Sequence, residues 1–399
     1  MAQTITAIVP TYNRAVYLSE ALASIASQTR PVDEIIVWDD GSTDATETVA
    51  RAAAGPVRYF RSANGGKSRA LNAAMAKATG SLIWICDDDD IALPHAAQTL
   101  AGLLGARSDA DVAGGSYRRF HTDPGTGARI ERGPGYWPDL SQGSVLRHLL
   151  EDIFLFQNAT LVRRSAYEAV GGFREDLPRS IDYDMIVRLA VRAPVVMTEK
   201  AVFLQRKHDG ARGPATARHA AARSGEVWQI ADRDVFAPFR KSVPLSLYEA
   251  LFEGTPDAVR RAGLLQRACV YARRTDWAAA CEDFGAAAEV APECPLSELE
   301  VAICRRAMGG KHGIVQAMIP EVRHTLAHLA RSGPLGAAIA RALNRGLRWR
   351  LREAVAARRF GDIAGIARLG LGLFSGRDSP SEALTMPLTE RDDPCKPRG

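Results

Sequence analysis

The 399-residue sequence has few cysteines, and none at a metal-binding spacing. Its six (Cys86, Cys269, Cys281, Cys294, Cys304, Cys395) include no C-x-x-C pair. That argues against a zinc knuckle and against the disulfide framework of small secreted proteins, so a reducing compartment is the expectation. No apolar run approaches the roughly 18 residues that a membrane-spanning helix needs. The start, MAQTITAIVPTYN, lacks a basic segment, and its short apolar run breaks at Pro10, so no secretory signal is read there. The compositional bias of a disordered chain is missing too, with 46% hydrophobic and 24% charged residues. The length suits two or three domains. The expected location is cytoplasmic, with a peripheral position on the inner face of the cell membrane as the alternative.

What is present is unevenly charged. The net charge is +5, yet residues 301–377 hold fourteen Lys or Arg against three acids (Glu321, Glu353, Asp362), a local surplus of 14 − 3 = +11. The remainder therefore sums to −6, and the two ends of the chain are expected to meet different partners.

The first ninety residues repeat one rhythm of apolar strand, polar turn and amphipathic helix. Residues 5–9 read as a buried strand and 16–25 as a helix. Residues 34–38 are a second strand, with Ser42, Thr43 and Asp44 as capping residues for a helix over 46–53. A short third strand at 57–60 is followed by Gly65, Gly66 and a helix over 68–78. Residues 82–86 are an uninterrupted apolar run suited to a central parallel strand. Such alternation implies a mostly parallel sheet covered on both faces, and ligands of such sheets bind outside the carboxyl ends of the strands. The polar clusters fall there: Thr11, Tyr12 and Asn13 after the first strand, Asp39 and Asp40 after the second, Asp87 to Asp90 after the fourth.

Four consecutive carboxylates repel one another unless something positive sits among them. Mn²⁺ or Mg²⁺ is the natural partner, because carboxylate and water oxygens suit it and positions stay open for a substrate diphosphate. If the extended backbone continues past Cys86, the period of two places Asp87 and Asp89 on one side. Asp90 is also a candidate helix cap ahead of Pro94.

IVPTYNR (8–14), VWDDGSTD (37–44), GKSRALNAAMAKATG (66–80) and CDDDDIALP (86–94) together resemble the nucleotide-binding half of family 2 glycosyltransferases, inverting enzymes with a GT-A fold. The resemblance covers about residues 4–212 and continues through NATLVRRSAYEAVGGF (158–173), IDYDMIVRLA (181–190) and LQRKH (204–208). It implies that Pro10, Thr11 and Tyr12 pack round the nucleobase and that Asp40, with Asp39 beside it, accepts a hydrogen bond from the base. Arg14, Lys67 and Arg69 fall on the donor side. Asp87, Asp88 and Asp89 form the DxD element, with Asp89 as the direct metal ligand. Asp182 stands where the family keeps its general base, and His208 where many members touch the metal or diphosphate. Ile181 departs from the pattern, which usually has an acid before the base. A helix N-cap is the other reading of Asp182, since 183–191 reads as a helix; ordinary surface placement is that of His208. Gly171 and Gly172 read as a structural turn. Processive members carry a Q-x-x-R-W motif and membrane helices. Gln205 and Arg206, being adjacent, do not reproduce the motif, so transfer of a single sugar is expected.

Beyond about Pro214 the resemblance stops, and Ala- and Arg-rich segments read as helices. Residues 264–295 are similar to one tetratricopeptide-like hairpin, through Ala268, Tyr271, Trp277, Ala280, Phe284, Ala287 and Pro292; a single unit cannot bury both faces and must pack on its neighbours. A helix over 338–360 places Arg341, Arg345, Arg348, Arg352 and Arg359 along one stripe. That stripe is a contact for an anionic membrane or a lipid-linked acceptor, or else a solvated face.

The sequence thus predicts an α/β GT-A domain, Rossmann-like with a mostly parallel sheet, over 1–235. An all-α domain over 236–375 and a disordered tail over 376–399 follow. The expected activity is metal-dependent, inverting transfer of one sugar from a nucleoside-diphosphate sugar, in the first place a UDP-sugar, to a hydroxyl of a glycan or lipid-linked acceptor in bacterial surface glycan synthesis. A sugar-phosphate nucleotidyltransferase would want a Gly-rich basic loop after the first strand, which PTYNRA does not supply. A non-catalytic scaffold sits poorly with Asp87, Asp89 and Asp182 in place. No nucleic-acid partner is expected, because the basic segment lacks interleaved aromatics.

Overall fold

The computed structural model describes residues 3–207, 224–374 and 384–391. The chain divides into two compact units, one ending at Ser224 and the other beginning at Gly225, with Leu150–Asp152 counting with the second.

The first unit opens with β1 (Ile5–Thr11), α1 (Ala15–Ala26), β2 (Glu34–Asp39), α2 (Thr46–Ala52), β3 (Val57–Arg61), α3 (Lys67–Met75) and β4 (Leu82–Ile85). It continues with β5 (Ile91–Ala92), α4 (Ala96–Ala106), β6 (Val112–Thr122), β7 (Arg129–Pro134), α5 (Val145–Glu151, its last two residues counting with the second unit), β8 (Thr160–Arg163), α6 (Arg164–Val170), α7 (Ile181–Arg192) and β9 (Val195–Arg206). The sheet order is β3-β2-β1-β4-β8-β6-β9-β5, with β7 on β6. β3, β2, β1 and β4 are all parallel, as the α/β rhythm requires. Past β4 the sheet is mixed: β8 is antiparallel to both β4 and β6, while β6 and β9 run parallel. Every residue of β1, β2 and β4 is buried, which is why they read as continuous apolar runs. The buried charge that opens β2, Glu34, is satisfied: its carboxylate accepts from Thr6 Oγ1 at 2.7 Å and Thr79 N at 3.0 Å and pairs with Arg58. Gly80 is required beside it, since a Cβ there would lie 2.6 Å from Thr6 N. Because β1, β2 and β4 are parallel neighbours, the turns that follow them open at one edge of the sheet.

The second unit holds α8 (Ser224–Ser242), α9 (Leu245–Glu249), β10 (Phe252–Gly254), α10 (Pro256–Arg273), α11 (Trp277–Ala288), α12 (Glu298–Ala307), α13 (Pro320–Leu329), α14 (Pro334–Ala356), α15 (Phe360–Gly372) and β11 (Leu388–Glu390). α10 and α11 make the expected hairpin, and Ala268, Tyr271, Trp277, Ala280, Phe284 and Ala287 are all buried. Thr255 and Asp276 cap these two helices, and Ser297 with Glu300 forms a capping box on α12. Glu300 also takes a bidentate pair from the fully buried Arg261, at 2.6 and 3.0 Å. No described helix is long and apolar enough to cross a membrane.

Two expectations are corrected here. Within the presumed disordered tail, β11 pairs antiparallel with β10, Phe252 opposite Glu390, and Arg391 N donates to Leu251 O at 2.8 Å. A polar composition does not reveal such a short long-range pairing. The long basic helix also ends early: Arg358 turns the chain at φ 54°, so Arg359 precedes α15 and is not part of the α14 stripe.

Candidate active site

The loops after β1 and β2 are knitted together. Pro10 and Thr11 are buried at the end of β1, opposite Trp38 and Asp39, and Tyr12 is half-buried beyond them. Asn13, at φ 53°, accepts from Thr43 N at 2.7 Å, and its own N–H donates to Ser42 Oγ at 2.8 Å. Asp39 accepts from Ser42 N at 2.7 Å and from the Tyr59 hydroxyl at 2.6 Å. Asp40 receives Gly65 N and Gly66 N, each at 2.8 Å, one on each oxygen. Both carboxylates therefore fix loops, and only their second lone pairs remain for a base.

The acidic segment does not continue β4. Residues 88–90 turn, so the two-residue alternation expected past Cys86 is lost. Asp87 pairs with Lys67, Asp89 with Arg14, and Asp88 is buried between them. Asp90 does not cap α4, whose N-cap position is His95. It accepts instead from Arg206 N at 2.8 Å and Asn158 Nδ2 at 2.6 Å. Asn158 Oδ1 in turn accepts from Asp87 N at 2.8 Å, and Arg206 Nε donates to Asp89 O at 2.8 Å. Arg206 is buried, stacked against Phe120 and Tyr17, and paired with Glu20. Asn158 and Arg206 are the site residues that sequence reasoning left without a role. Asn158 lies in a short 3-10 turn ahead of β8 and Arg206 is the last residue of β9, so both sit where apolar runs give way to polar residues, the one available signal.

Crowded charge shifts the titration of the site. Burial, reinforced by Asp89, pushes the Asp88 carboxyl up to about 7, against the pull of Arg14. Burial also raises Asp90, with Asp89 and Asp87 adding to it. Burial alone would lower the Lys67 ammonium, but Asp87, then Asp182 and Asp88, raise it on balance. Asp182 is brought into the same field: burial lifts its carboxyl, Lys67 opposes the lift and Asp87 adds to it. The N-cap of α7 is Ser180, at φ 54°, so Asp182 lies inside the first turn, accepting from Tyr183 N at 2.9 Å. Arg69 is the outlier, exposed and 3.3 Å from Glu175. His208 lies outside the described residues.

The donor set suits a hard divalent cation. Asp87 to Asp89 offer only carboxylate oxygens, and Asp88, whose carboxyl burial and then Asp89 push up, would be relieved by a cation beside it. Among the described residues no three His, Cys, Asp or Glu side chains converge on one point. Mn²⁺ or Mg²⁺ commonly rests on one or two carboxylates, with waters and substrate phosphates completing its shell.

Parallel strands with Asp40 after β2 and the acidic turn after β4 define an α/β nucleotide-binding layout of the GT-A type. Comparison with known proteins makes this specific. Residues 6–171 match the family model described as glycosyl transferase family 2. An uncharacterized glycosyltransferase of Rickettsia felis is 30% identical over 208 residues, 50% of this chain and 34% of that protein. Glycosyltransferase GlyG of Streptococcus pneumoniae is 36% identical over 129 residues, 31% of this chain and 42% of that protein. In fold, the chain is similar to S. aureus TarS 1-349 in complex with UDP-GlcNAc, with a TM-score of 0.51 at 16% identity over 98% of this chain and 97% of that one. The similarity to family 2 glycosyltransferases thus lies in the N-terminal part of this chain. The chain spans only about a third of the length of the first Rickettsia relative.

Proposed function

We propose that the protein moves one sugar from a nucleoside-diphosphate sugar to an acceptor hydroxyl, inverting the anomeric centre. The observation that carries this reading is the acidic turn at the carboxyl end of β4, paired to Lys67 and Arg14, beside Asp40 after β2, in the stretch that matches the family model. Pro10, Thr11 and Tyr12 would pack round the base, and Asp39 and Asp40, already ordered by their loop hydrogen bonds, would accept from it. Arg14, Lys67 and Arg69 would meet the diphosphate. As an acceptor oxygen attacks, Asp182 would take its proton, and a raised pKa makes it the stronger base. Asp89, with Asp88 beside it and His208 as a further candidate, would hold Mn²⁺ or Mg²⁺, which when bound neutralises charge on a leaving diphosphate.

We take the donor to be a UDP-sugar, because TarS, similar in fold, holds UDP-GlcNAc. The acceptor we assign is a glycan or lipid-linked hydroxyl of a bacterial surface polymer. A cytoplasmic setting is supported by the free thiols of Cys86, Cys269, Cys281, Cys294 and Cys304. The test is a panel of nucleotide sugars, scored for Mn²⁺-supported hydrolysis and, with a successful acceptor, for anomeric configuration by NMR. Inverted product supports the reading; retained configuration, or no turnover and no binding across the panel, rejects it.

A further inference from the structure

We propose that the α14–α15 hairpin of the second unit docks on a lipid bilayer carrying anionic headgroups. α15 turns an apolar face to solvent. Phe360, Ala364, Ala367, Leu371 and Phe374 recur at spacings of four, three, four and three residues, which is one side of a helix. Phe360, Leu371 and Phe374 are 76%, 74% and 67% exposed. The opposite side, Ile366, Leu369 and Leu373, is buried. The helix is thus apolar on two sides, and packing accounts for only one.

α14 and the turn supply charge of one sign. Arg345, Arg348 and Arg352 are exposed on one face of α14 together with Trp349 and Val355, which are 58% and 55% exposed. From Pro334 to Phe374 there are eight arginines and two acids, Glu353 and Asp362. Arg348, Arg352, Arg358 and Arg368 have no ion-pair partner among the described residues. Arg358 stands at the tip in the left-handed region, where glycine would sit without strain.

Exposed Trp and Phe interleaved with unpaired guanidinium groups is the pattern of an interfacial surface, with rings at headgroup depth and arginines on phosphates. A second copy fits less well, because a two-fold contact would set the same arginines against each other. The arginine stripe was legible in the sequence, but the apolar face beside it was not.

The experiment floats the full-length protein with phosphatidylcholine vesicles, with and without phosphatidylglycerol, at low and high salt. Binding to the anionic vesicles is expected, weakened at high salt. Phe360→Ser with Leu371→Ser and Phe374→Ser should reduce it about tenfold or more while circular dichroism and melting stay unchanged. Replacing Arg348, Arg352, Arg358 and Arg368 with Gln should abolish the preference for anionic lipid. Folded protein that ignores both vesicles, or binding that survives both sets of substitutions, overturns the proposal. So does a dimer by light scattering that the apolar substitutions dissociate. No arm reads sugar transfer, so the outcome is separate from that of the proposed activity.

Discussion

Asn158 Nδ2 donates to Asp90 Oδ2 at 2.6 Å across 68 residues of sequence. The same side chain accepts from Asp87 N at 2.8 Å, so one amide closes the acidic turn from both ends. The geometry of the carboxylates between them depends on it.

Asn158→Ala should therefore cost about 1–3 kcal/mol, the range for leaving buried polar groups unpaired, and should weaken nucleoside-diphosphate binding. Chemical denaturation and a calorimetric titration check the two effects. Unchanged stability would mean that Arg206 alone holds the turn.

Asp89→Ala should remove Mn²⁺ binding measured by electron paramagnetic resonance in the presence of a nucleoside diphosphate. Chelation of the wild-type protein should remove turnover with it. Full activity in a chelator would reject the assignment of Asp89.

How much of this was readable beforehand follows from the range of the interactions. β1, β2 and β4 were legible because strands buried on both faces are apolar throughout, and the carboxylates at their ends followed directly. The turn at residues 88–90 was not, because four identical residues carry no period. Asn158 and Arg206 escaped assignment for another reason: they reach Asp90 only through pairings between strands distant in sequence, β4 with β8 and β5 with β9. The break at Arg358 was hidden because helical spacing is present on both sides of it.

A pH effect on stability is expected in the second unit. Asp232 is buried, receives His312 Nε2 at 2.8 Å and pairs with Lys311 Nζ at 2.7 Å. Burial works to raise its carboxyl, but the hydrogen bond from His312 and the charge of Lys311 outweigh it and hold the group well below the usual range. A folded pKa below the unfolded one stabilises above the ordinary Asp pKa, and that stabilisation is lost as pH falls. Asp232→Asn should cost about 3–5 kcal/mol near neutral pH, as expected for breaking a buried pair, with the gap to wild type narrowing below about pH 4. Denaturation curves at several pH values measure it. A gap independent of pH would show that packing at this position, and not its charge, is what stabilises.

The catalytic pH profile tests the coupling of Asp182 to Lys67. Asp182→Asn keeps the shape but removes the proton acceptor, so transfer should fall by roughly 10² to 10⁴ while nucleotide-sugar binding persists. In the wild type only the ionised carboxylate serves, and its pKa is raised, so kcat should fall as pH drops through a midpoint above the ordinary carboxylate range. Lys67 opposes that rise. Lys67→Met removes the opposing charge and should move the acidic limb of kcat to higher pH, whereas Lys67→Arg keeps the charge and should leave it near wild type. Because Lys67 also pairs with Asp87, some loss of donor affinity is expected in both variants, and it appears in KM. The shift of the midpoint is the diagnostic quantity. If Lys67→Met lowers kcat by the same factor at every pH, Lys67 serves only to hold the donor and the acidic turn, and the field linking it to Asp182 has no part in proton transfer.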